Sequence, residues 1–203
     1  MACIRLKDHP LFAQIIGEHE IILRRLDRLP TIDGVVEYVN FLFEFAEQGH
    51  HRQEELLLFS EVFKFARHRE GGPMCTYFFD AQMASPPEER VKALLTQLAP
   101  QISLEMKMDP HHQEVFAANS PVKIPINEHR SGKALLEFCR AHLSQLPGSF
   151  EMILRCLELY REIQVSHIKK EETCFFHMCV AVLPSTELDR IGDVWMRAAK
   201  ISV

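Results

Sequence analysis

Apolar residues recur every three or four positions along most of this chain, which is the spacing of one face of an α-helix. The first such face lies between Leu11 and Leu29 and includes one histidine. Its members are Phe12, Ile15, Ile16, His19, Ile22, Leu23 and Leu26. Pro30, Asp33 and Gly34 then interrupt the pattern. The pattern predicts a first helix over 11–29.

Three more long helices follow, each bounded by proline or glycine. In chain order they run from about Val35 to about Arg67 with a stop at 71–73, from after Pro125 to Pro147, and from about Ser149 to before Pro184. A short amphipathic helix is expected to close the chain. Neither strand-like alternation nor an internal repeat competes with these patterns. The sequence therefore predicts an all-α fold.

The segment from about 75 to about 125 lacks the continuous helical spacing of the rest of the chain. It contains an aromatic run, Tyr77 to Phe79, and a single plausible helix, Glu88 to Leu98. A connection of this length without structure or function would be unusual in a compact domain. We therefore interpret it as a helical insertion that packs over the other helices, where the aromatic run would cover the site or bind a protein partner.

Length and composition fit one domain spanning 1–203, with 47% hydrophobic and 25% charged residues. Its net charge of -5 is spread without a cationic face, so nucleic acid is not expected as a partner. Neither a signal peptide nor a membrane span is apparent, which predicts a soluble, cytoplasmic protein. The six cysteines form no C-x-x-C pair and are interpreted as reduced thiols.

Two segments each place a glutamate four residues after a histidine, namely His51 with Glu55 and His167 with Glu171. Four residues is just over one helical turn, so each pair projects from one face of its helix. Imidazole and carboxylate together suit iron, manganese or zinc, and a glutamate can bridge two ions. Either pair alone is more often a solvated hydrogen-bonded pair.

The two other long helices each carry one histidine on the apolar face, His19 and His129. A lone histidine at such a position is usually a core residue. All six candidates, however, fall on four separate predicted helices, and burying them without partners would be costly. A metal centre would remove that cost.

The motifs that surround these residues occur in one order along the chain: Glu18-His19-Glu20, His50-His51-Arg52-Gln53-Glu54-Glu55, Gly71-Gly72-Pro73-Met74, Glu128-His129-Arg130 and His167-Ile168-Lys169-Lys170-Glu171-Glu172. In this respect the chain resembles the hemerythrin-like, or HHE cation-binding, family over about 9–74 and 126–190. The resemblance implies an up-down-up-down four-helix bundle around a non-heme di-iron site. It assigns His19, His51, Glu55, His129, His167 and Glu171 as iron ligands, with the two glutamates as bridges.

One departure bears on function. Oxygen-carrying hemerythrins have a second histidine one turn after the ligand of the third helix, whereas Lys133 stands at that position here. The loss of a nitrogen leaves more open metal positions, where external ligands react. Tyr77, His111 and His112 in the insertion are candidates for a seventh ligand, against the alternative of surface or packing residues.

Three glutamates are candidates for supporting roles around the ligands. Glu47 precedes His51 by one turn, Glu44 extends the same polar line, and Glu128 neighbours His129. Each could orient an imidazole or carry protons. A solvated or interhelical polar stripe is the alternative for the first two.

A ferritin-like di-iron protein is set aside because it needs two E-x-x-H pairs, and only Glu47 to His50 has that spacing. The favoured hypothesis is a di-iron protein that binds a small diatomic ligand such as oxygen or nitric oxide for sensing or storage. The alternatives are a redox enzyme acting on oxygen, peroxide or nitric oxide, a protein that repairs or supplies iron centres, and an interaction module stabilised by metal.

Overall fold

The computed structural model describes residues 6–66, 87–99, 112–113 and 120–201, and in these residues it contains helices and no strands. The predicted all-α class is confirmed. The principal helices are α1 (Pro10–Leu26), α2 (35–66), α3 (Pro87–Leu98), α4 (Lys123–His142), α5 (150–182) and α6 (Ser185–Ile201).

These bounds agree closely with the helical periodicity of the sequence. Helix α4 begins at Lys123 rather than after Pro125, because a proline in the first turn lacks only an N–H group that would have no partner inside the helix. The predicted stop of α2 at 71–73 lies outside the described residues. Within the insertion, α3 packs on α4 and α5 and buries Val91 and Leu95.

Helices α2 and α5 contain π-helical segments. In α2 they are Leu42–His51 and Glu54–Phe59, and in α5 the segment is Glu171–Phe175. A π-helical turn closes with hydrogen bonds between residues five apart and is therefore wider than an α-helical turn. Neighbouring side chains diverge less in direction in such a turn, so two adjacent residues can face the same side of the helix.

Helices α1, α2, α4 and α5 each cross a buried polar layer that separates two hydrophobic clusters. One cluster contains Ile22, Leu42, Leu135 and Tyr160, and the other contains Phe12, Phe59, Ile126 and Phe176. Along the chain, α1 and α4 run from the second cluster to the first, whereas α2 and α5 run from the first to the second. The polar layer thus lies at the middle of each of these helices.

Helix α6 is longer than the short terminal helix that the sequence suggests. It buries Leu188, Ile191 and Trp195 in the second hydrophobic cluster and lies against α1. The two helix backbones approach closely at Gly192, where an added Cβ atom would lie 3.5 Å from the Cβ atom of Leu11. The chain thereby places an indole ring against the end of the polar layer.

Two expectations about cysteines and membranes can be compared with the described residues. Cys139, Cys156 and Cys179 are buried free thiols, whereas Cys174 is disulfide-bonded, so the prediction of reduced thiols is wrong for Cys174. In the described part of the chain, no helix combines the length and the apolar character needed to cross a membrane.

Gly132 allows α4 to approach the polar layer closely. A Cβ atom there would lie 2.9 Å from Nε2 of Gln164 and 3.0 Å from Cε2 of Tyr160. We expect Gly132→Ala to lower the free energy of unfolding by about 1 kcal/mol, because overpacking of about 1–3 kcal/mol outweighs a helix-propensity gain of about 1 kcal/mol. Denaturant unfolding of the metal-free protein measures this change.

Gly17→Ala is the matched control, since a Cβ atom at that helical position has nothing within 4 Å. Only the propensity gain applies there, so this variant should be more stable by about 0.5–1 kcal/mol. If both alanine variants shift stability in the same direction, the close approach at Gly132 does not constrain the fold.

Candidate metal centre

Seven polar side chains meet at the middle of the molecule, and none of them is more than 3% exposed. We call them the inner group. They are His19, His50, His51, Glu54, His129, His167 and Glu171. Helix α1 contributes one, α2 three, α4 one and α5 two. Burying this many ligating groups without ions would be costly.

The Nε2 atoms of the inner histidines face one another and the two carboxylates. Nε2 of His129 lies 3.1 Å from Nε2 of His167 and 3.4 Å from Oε2 of Glu54. Oε1 of Glu54 lies 3.5 Å from Nε2 of His50, so the two oxygens of Glu54 face different histidines. Oε2 of Glu171 lies 3.3 Å from Nε2 of His19 and 3.3 Å from Nε2 of His167. Both carboxylates are therefore placed between two sets of imidazoles.

Potential ligand atoms fall into two groups, each within a radius suited to one ion. In one group the atoms of His51, Glu54, His129 and His167 all lie within 4.8 Å of one another, and in the other those of His19, His50 and Glu54 do so. We call the histidines of the first group subsite A and those of the second subsite B. Glu54 belongs to both groups, which is the arrangement expected of a bridging carboxylate.

A second layer of glutamates contacts the other nitrogen of every inner imidazole. The Nδ1-to-oxygen pairs are His19 with Glu172 at 2.9 Å, His50 with Glu18 at 2.8 Å, His51 with Glu47 at 3.2 Å, His129 with Glu55 at 2.9 Å and His167 with Glu128 at 3.2 Å. Four of these contacts are hydrogen bonds, which keep the hydrogen on Nδ1, whereas Nδ1 of His51 is buried without a hydrogen-bond partner among the described residues. The lone pair of Nε2 then faces the inner group, as in metal-ligating histidines.

Unpartnered atoms test whether this group fits a metal. Nε2 of His19, His50 and His51 and both oxygens of Glu54 and Glu171 are buried without a hydrogen-bond partner. The two Nε2 lone pairs of His129 and His167 face each other at 3.1 Å. Two nitrogens bound side by side to one ion at about 2.1 Å would be about 3 Å apart. The residues present therefore fit a metal ion, and the structure supports a buried histidine and glutamate site that could hold one.

Electrostatics of the metal-free group differ from one imidazole to another. Burial, followed by the proximity of other histidines, holds the pKa values of His50 and His129 well below the usual range. Burial and the charge of Glu171 raise the pKa of Glu54 well above 4.5. For Glu171 itself, burial acts to raise the pKa, but His167 and His19 outweigh it and hold the value at about 2. His50 and His129 are thus ready to bind a metal without first losing a proton, whereas for His19 burial acts to lower the pKa but hydrogen bonds to Glu171 and Glu172 outweigh it and raise the pKa.

The second layer is itself held by further side chains. Glu18 accepts hydrogen bonds from Trp195 and Gln14, and Glu47 accepts one from Tyr160 at 2.9 Å. Glu128 accepts one from Lys170, whose pKa burial lowers to about 8. Glu55 lies 3.3 Å from His112. Each of these partners fixes a carboxylate that in turn orients an imidazole.

Of the six ligands predicted from sequence, the structure brings five into the inner group: His19, His51, His129, His167 and Glu171. The sixth, Glu55, lies outside it, with a side chain that is 22% exposed and contacts Nδ1 of His129. Its neighbour Glu54 is fully buried in the centre instead. Glu54 lies four residues after His50 and three after His51, so it shares the helix face on which both of these histidines point inward.

Besides Glu54, His50 is an inner residue that the sequence does not predict as a ligand. In the sequence it stands out only as part of an E-x-x-H spacing and as the neighbour of His51. In the wider π-helical turn Leu42–His51, both histidines face inward. A pair of adjacent histidines in a helix that also carries Glu54-Glu55 was the available signal.

The structure places the other candidate residues in different surroundings. Glu47 and Glu128 contact inner imidazoles, whereas Glu44 and Lys133 are exposed. His112 contacts Glu55 and is not in either metal group. Tyr77 and His111 lie outside the described residues, so their predicted role as a seventh ligand stays a prediction.

The fold and site define an all-helical protein with a buried histidine and glutamate cluster able to hold a metal. Comparison with protein-family models, curated proteins and solved structures finds no match to this chain. Assignment beyond this class therefore depends on the geometry of the site.

Replacing Glu54 by glutamine should have opposite effects on the metal-free and metal-bound protein. The metal-free variant should unfold at a higher temperature, because a buried carboxylate repelled by Glu171 becomes neutral. Metal retention should fall at least tenfold, because the shared ligand is lost. Glu55→Gln, the matched neighbour, should retain metal with a smaller loss of affinity. A variant at Glu54 that retains metal like the unaltered protein would contradict this assignment.

The stabilisation of the metal-free Glu54→Gln variant should also depend on pH. A carboxyl group whose folded pKa is raised contributes stability below its unfolded pKa of 4.5 and loses it as pH rises through the folded value. The advantage of the glutamine variant over the unaltered chain should therefore grow between about pH 5 and pH 7. Urea unfolding at several pH values measures the difference, and a difference independent of pH would argue against a buried, destabilised Glu54.

Proposed function

We propose that this chain is a hemerythrin-like four-helix bundle that holds two iron ions and binds a small diatomic ligand at one of them. The observation that carries the proposal is the inward convergence of five imidazole Nε2 atoms on two buried carboxylates, with a glutamate behind every Nδ1. This is the arrangement in which histidines bind metals most firmly.

The up-down-up-down arrangement is part of this proposal. The order of the hydrophobic clusters along the chain supports it, since α1, α2, α4 and α5 cross the polar layer in alternating directions. An antiparallel bundle brings side chains from four helices to one level in its core, where such proteins build metal sites. The insertion then connects the second and third helices of the bundle.

His50 supplies the nitrogen that Lys133 does not. Sequence comparison with oxygen-carrying hemerythrins indicates a centre short of one histidine, and His50 restores the number of inner imidazoles to five. Subsite A then has three histidines and subsite B has two, with Glu54 shared and Glu171 placed between His19 and His167. The centre is less open than the missing histidine suggested.

The unequal number of histidines defines where an external ligand binds. Because subsite B offers one histidine fewer than subsite A, iron held there would leave more room for an external ligand. Bound iron would supply the electrons and the coordination bond that a diatomic ligand requires. The protein contributes neutral imidazoles, shared carboxylates and a core closed by apolar residues such as Phe12 and Phe176.

A redox enzyme acting on oxygen, peroxide or nitric oxide is the second candidate, and one observation favours it. Two ligand imidazoles are linked to groups that can hold or release protons, because Glu47 joins His51 to Tyr160 and Glu55 joins His129 to His112. Reduction of these substrates consumes protons, whereas reversible binding needs none. The partly exposed pair Glu55 and His112 would provide the entry from solvent.

Iron counting after anaerobic purification tests the proposal. We expect two iron ions per chain. Addition of one equivalent of oxygen or nitric oxide should give a stable coloured adduct. Flushing the solution with an inert gas should remove the ligand and the colour. Repeated consumption of the added ligand in the presence of a reductant would instead identify an enzyme. If the purified protein contains manganese or zinc instead of iron, that metal takes the place of iron in the proposal.

Glu54→Gln and Glu55→Gln serve as the paired variants in this experiment. The first should abolish adduct formation and retention of two ions, and the second should preserve both. A chain that folds fully without metal, retains none on purification and takes up none from Fe(II) solution would overturn the proposed function.

A further inference from the structure

Helix α6 is linked to the inner group by a line of hydrogen bonds that begins at Trp195. The indole Nε1 of Trp195 in α6 donates to Oε1 of Glu18 at 3.0 Å. The other oxygen of Glu18, Oε2, lies 2.8 Å from Nδ1 of His50. Nε2 of His50 faces Glu54 in subsite B. Trp195 is thus two hydrogen bonds away from a predicted ligand atom.

Burial makes this line sensitive to small changes. Trp195 is 0% exposed, and Glu18 and His50 are buried with it. The indole ring also contacts the edge of the His50 ring, with centroids 5.9 Å apart. Without the indole donor, Oε1 of Glu18 would keep only the hydrogen bond from Gln14 at 2.8 Å, and a buried carboxylate that loses a donor is less well compensated. Removing the indole N–H would therefore weaken the orientation of His50 without touching an inner ligand.

Subsite A is supported by other residues. The imidazoles of His51, His129 and His167 contact Glu47, Glu55 and Glu128. The described partners of those glutamates are Tyr160, His112 and Lys170, none of which lies in α6. Within the described residues, the hydrogen bonds of α6 therefore reach only subsite B.

From this asymmetry, we propose that Trp195 is a positioning residue for the ion of subsite B, and that α6 docks more firmly when that ion is bound. The inference rests on the proposed two-metal centre and adds a link between one ion and one helix. The linkage is reciprocal, because a contact that favours ion binding is favoured by it to the same extent. Occupancy of subsite B would accordingly be reported at the surface by α6.

Fe(II) titration of the purified full chain under anaerobic conditions measures the first half of the proposal. Trp195→Phe keeps an aromatic ring but lacks the N–H donor. We expect it to bind one ion like the unaltered chain and the other about 10- to 100-fold more weakly, the usual cost of losing a supporting residue. Equal weakening of both ions, or of neither, would overturn the proposal.

Two controls separate positioning from loss of packing. Leu188→Ala loosens α6 in the same hydrophobic cluster without touching Glu18 and should leave both affinities within about threefold. Tyr160→Phe removes the donor to Glu47 and should weaken the ion of subsite A instead. If Leu188→Ala lowers the second affinity as much as Trp195→Phe, packing explains the effect and the positioning role is lost.

Double variants identify which ion is affected. Combined with His50→Gln, which removes a ligand of subsite B, Trp195→Phe should not weaken the remaining ion further. Combined with His51→Gln, which removes a ligand of subsite A, it should reduce the remaining affinity by the same 10- to 100-fold. The reverse pattern would place the effect in subsite A and overturn the inference.

Hydrogen exchange across α6 tests the second half. Amide exchange in 185–201 should slow when Fe(II) fills both sites of the unaltered chain, and this slowing should largely disappear in Trp195→Phe. If the unaltered chain binds two ions but amide exchange in α6 does not change, only the proposed link between the ion of subsite B and the docking of α6 is contradicted. An unaltered chain that binds no iron would instead remove the two-metal centre itself, so the two failures are distinguishable.

Discussion

The contact between the Nδ1 atom of an inner histidine and a glutamate is the interaction on which the centre depends. Each of the five inner imidazoles has such a contact, with distances of 2.8–3.2 Å. For His19, His50, His129 and His167 the contact is a hydrogen bond, which fixes the ring orientation and keeps the hydrogen on the outer nitrogen. Without it the hydrogen would be free to move to Nε2, and the two inner carboxylates would then face N–H groups instead of nitrogen lone pairs. The same contacts thus set both the orientation of the rings and the direction of the lone pairs that could bind a metal.

The same arrangement opposes folding when no ion is present. Several acidic side chains lie in or beside a core that water does not reach, and the pKa of Glu54 is raised well above its usual value by burial and by Glu171. Two hydrophobic clusters, one on each side of the polar layer, provide the burial that offsets this cost. If the centre binds two ions as proposed, ion binding adds to the stability of the fold, because the ligands are assembled only in the folded state.

Helical periodicity predicted much of this architecture. The bounds of α1, α4 and α5 and the start of α2 follow from apolar spacing together with prolines and glycines, which act through local backbone geometry. The helix in the insertion was predicted for the same reason. Local rules could not predict that α6 would bury Trp195 beside Glu18, because that contact joins residues far apart in sequence.

The ligand set was predicted less completely, and the errors have a specific cause. Spacing on an ideal α-helix selected Glu55 as the partner of His51. His50 and His51 both face inward from the π-helical segment Leu42–His51, and Glu54, four and three residues later, shares their face. The outer role of Glu55 is set by its distance of 2.9 Å to His129 on another helix. Such a contact has no counterpart in the spacing of residues along α2.

By itself, then, the sequence determined the helices, the all-α class and the residue types gathered at the centre, because periodicity and ligand chemistry are local properties. Tertiary structure decided which of two adjacent glutamates is shared, which two adjacent histidines both turn inward, and which helix carries the tryptophan that supports one of them. Those choices depend on the width of a helical turn and on contacts between helices. Neither is encoded in the spacing of residues along one helix.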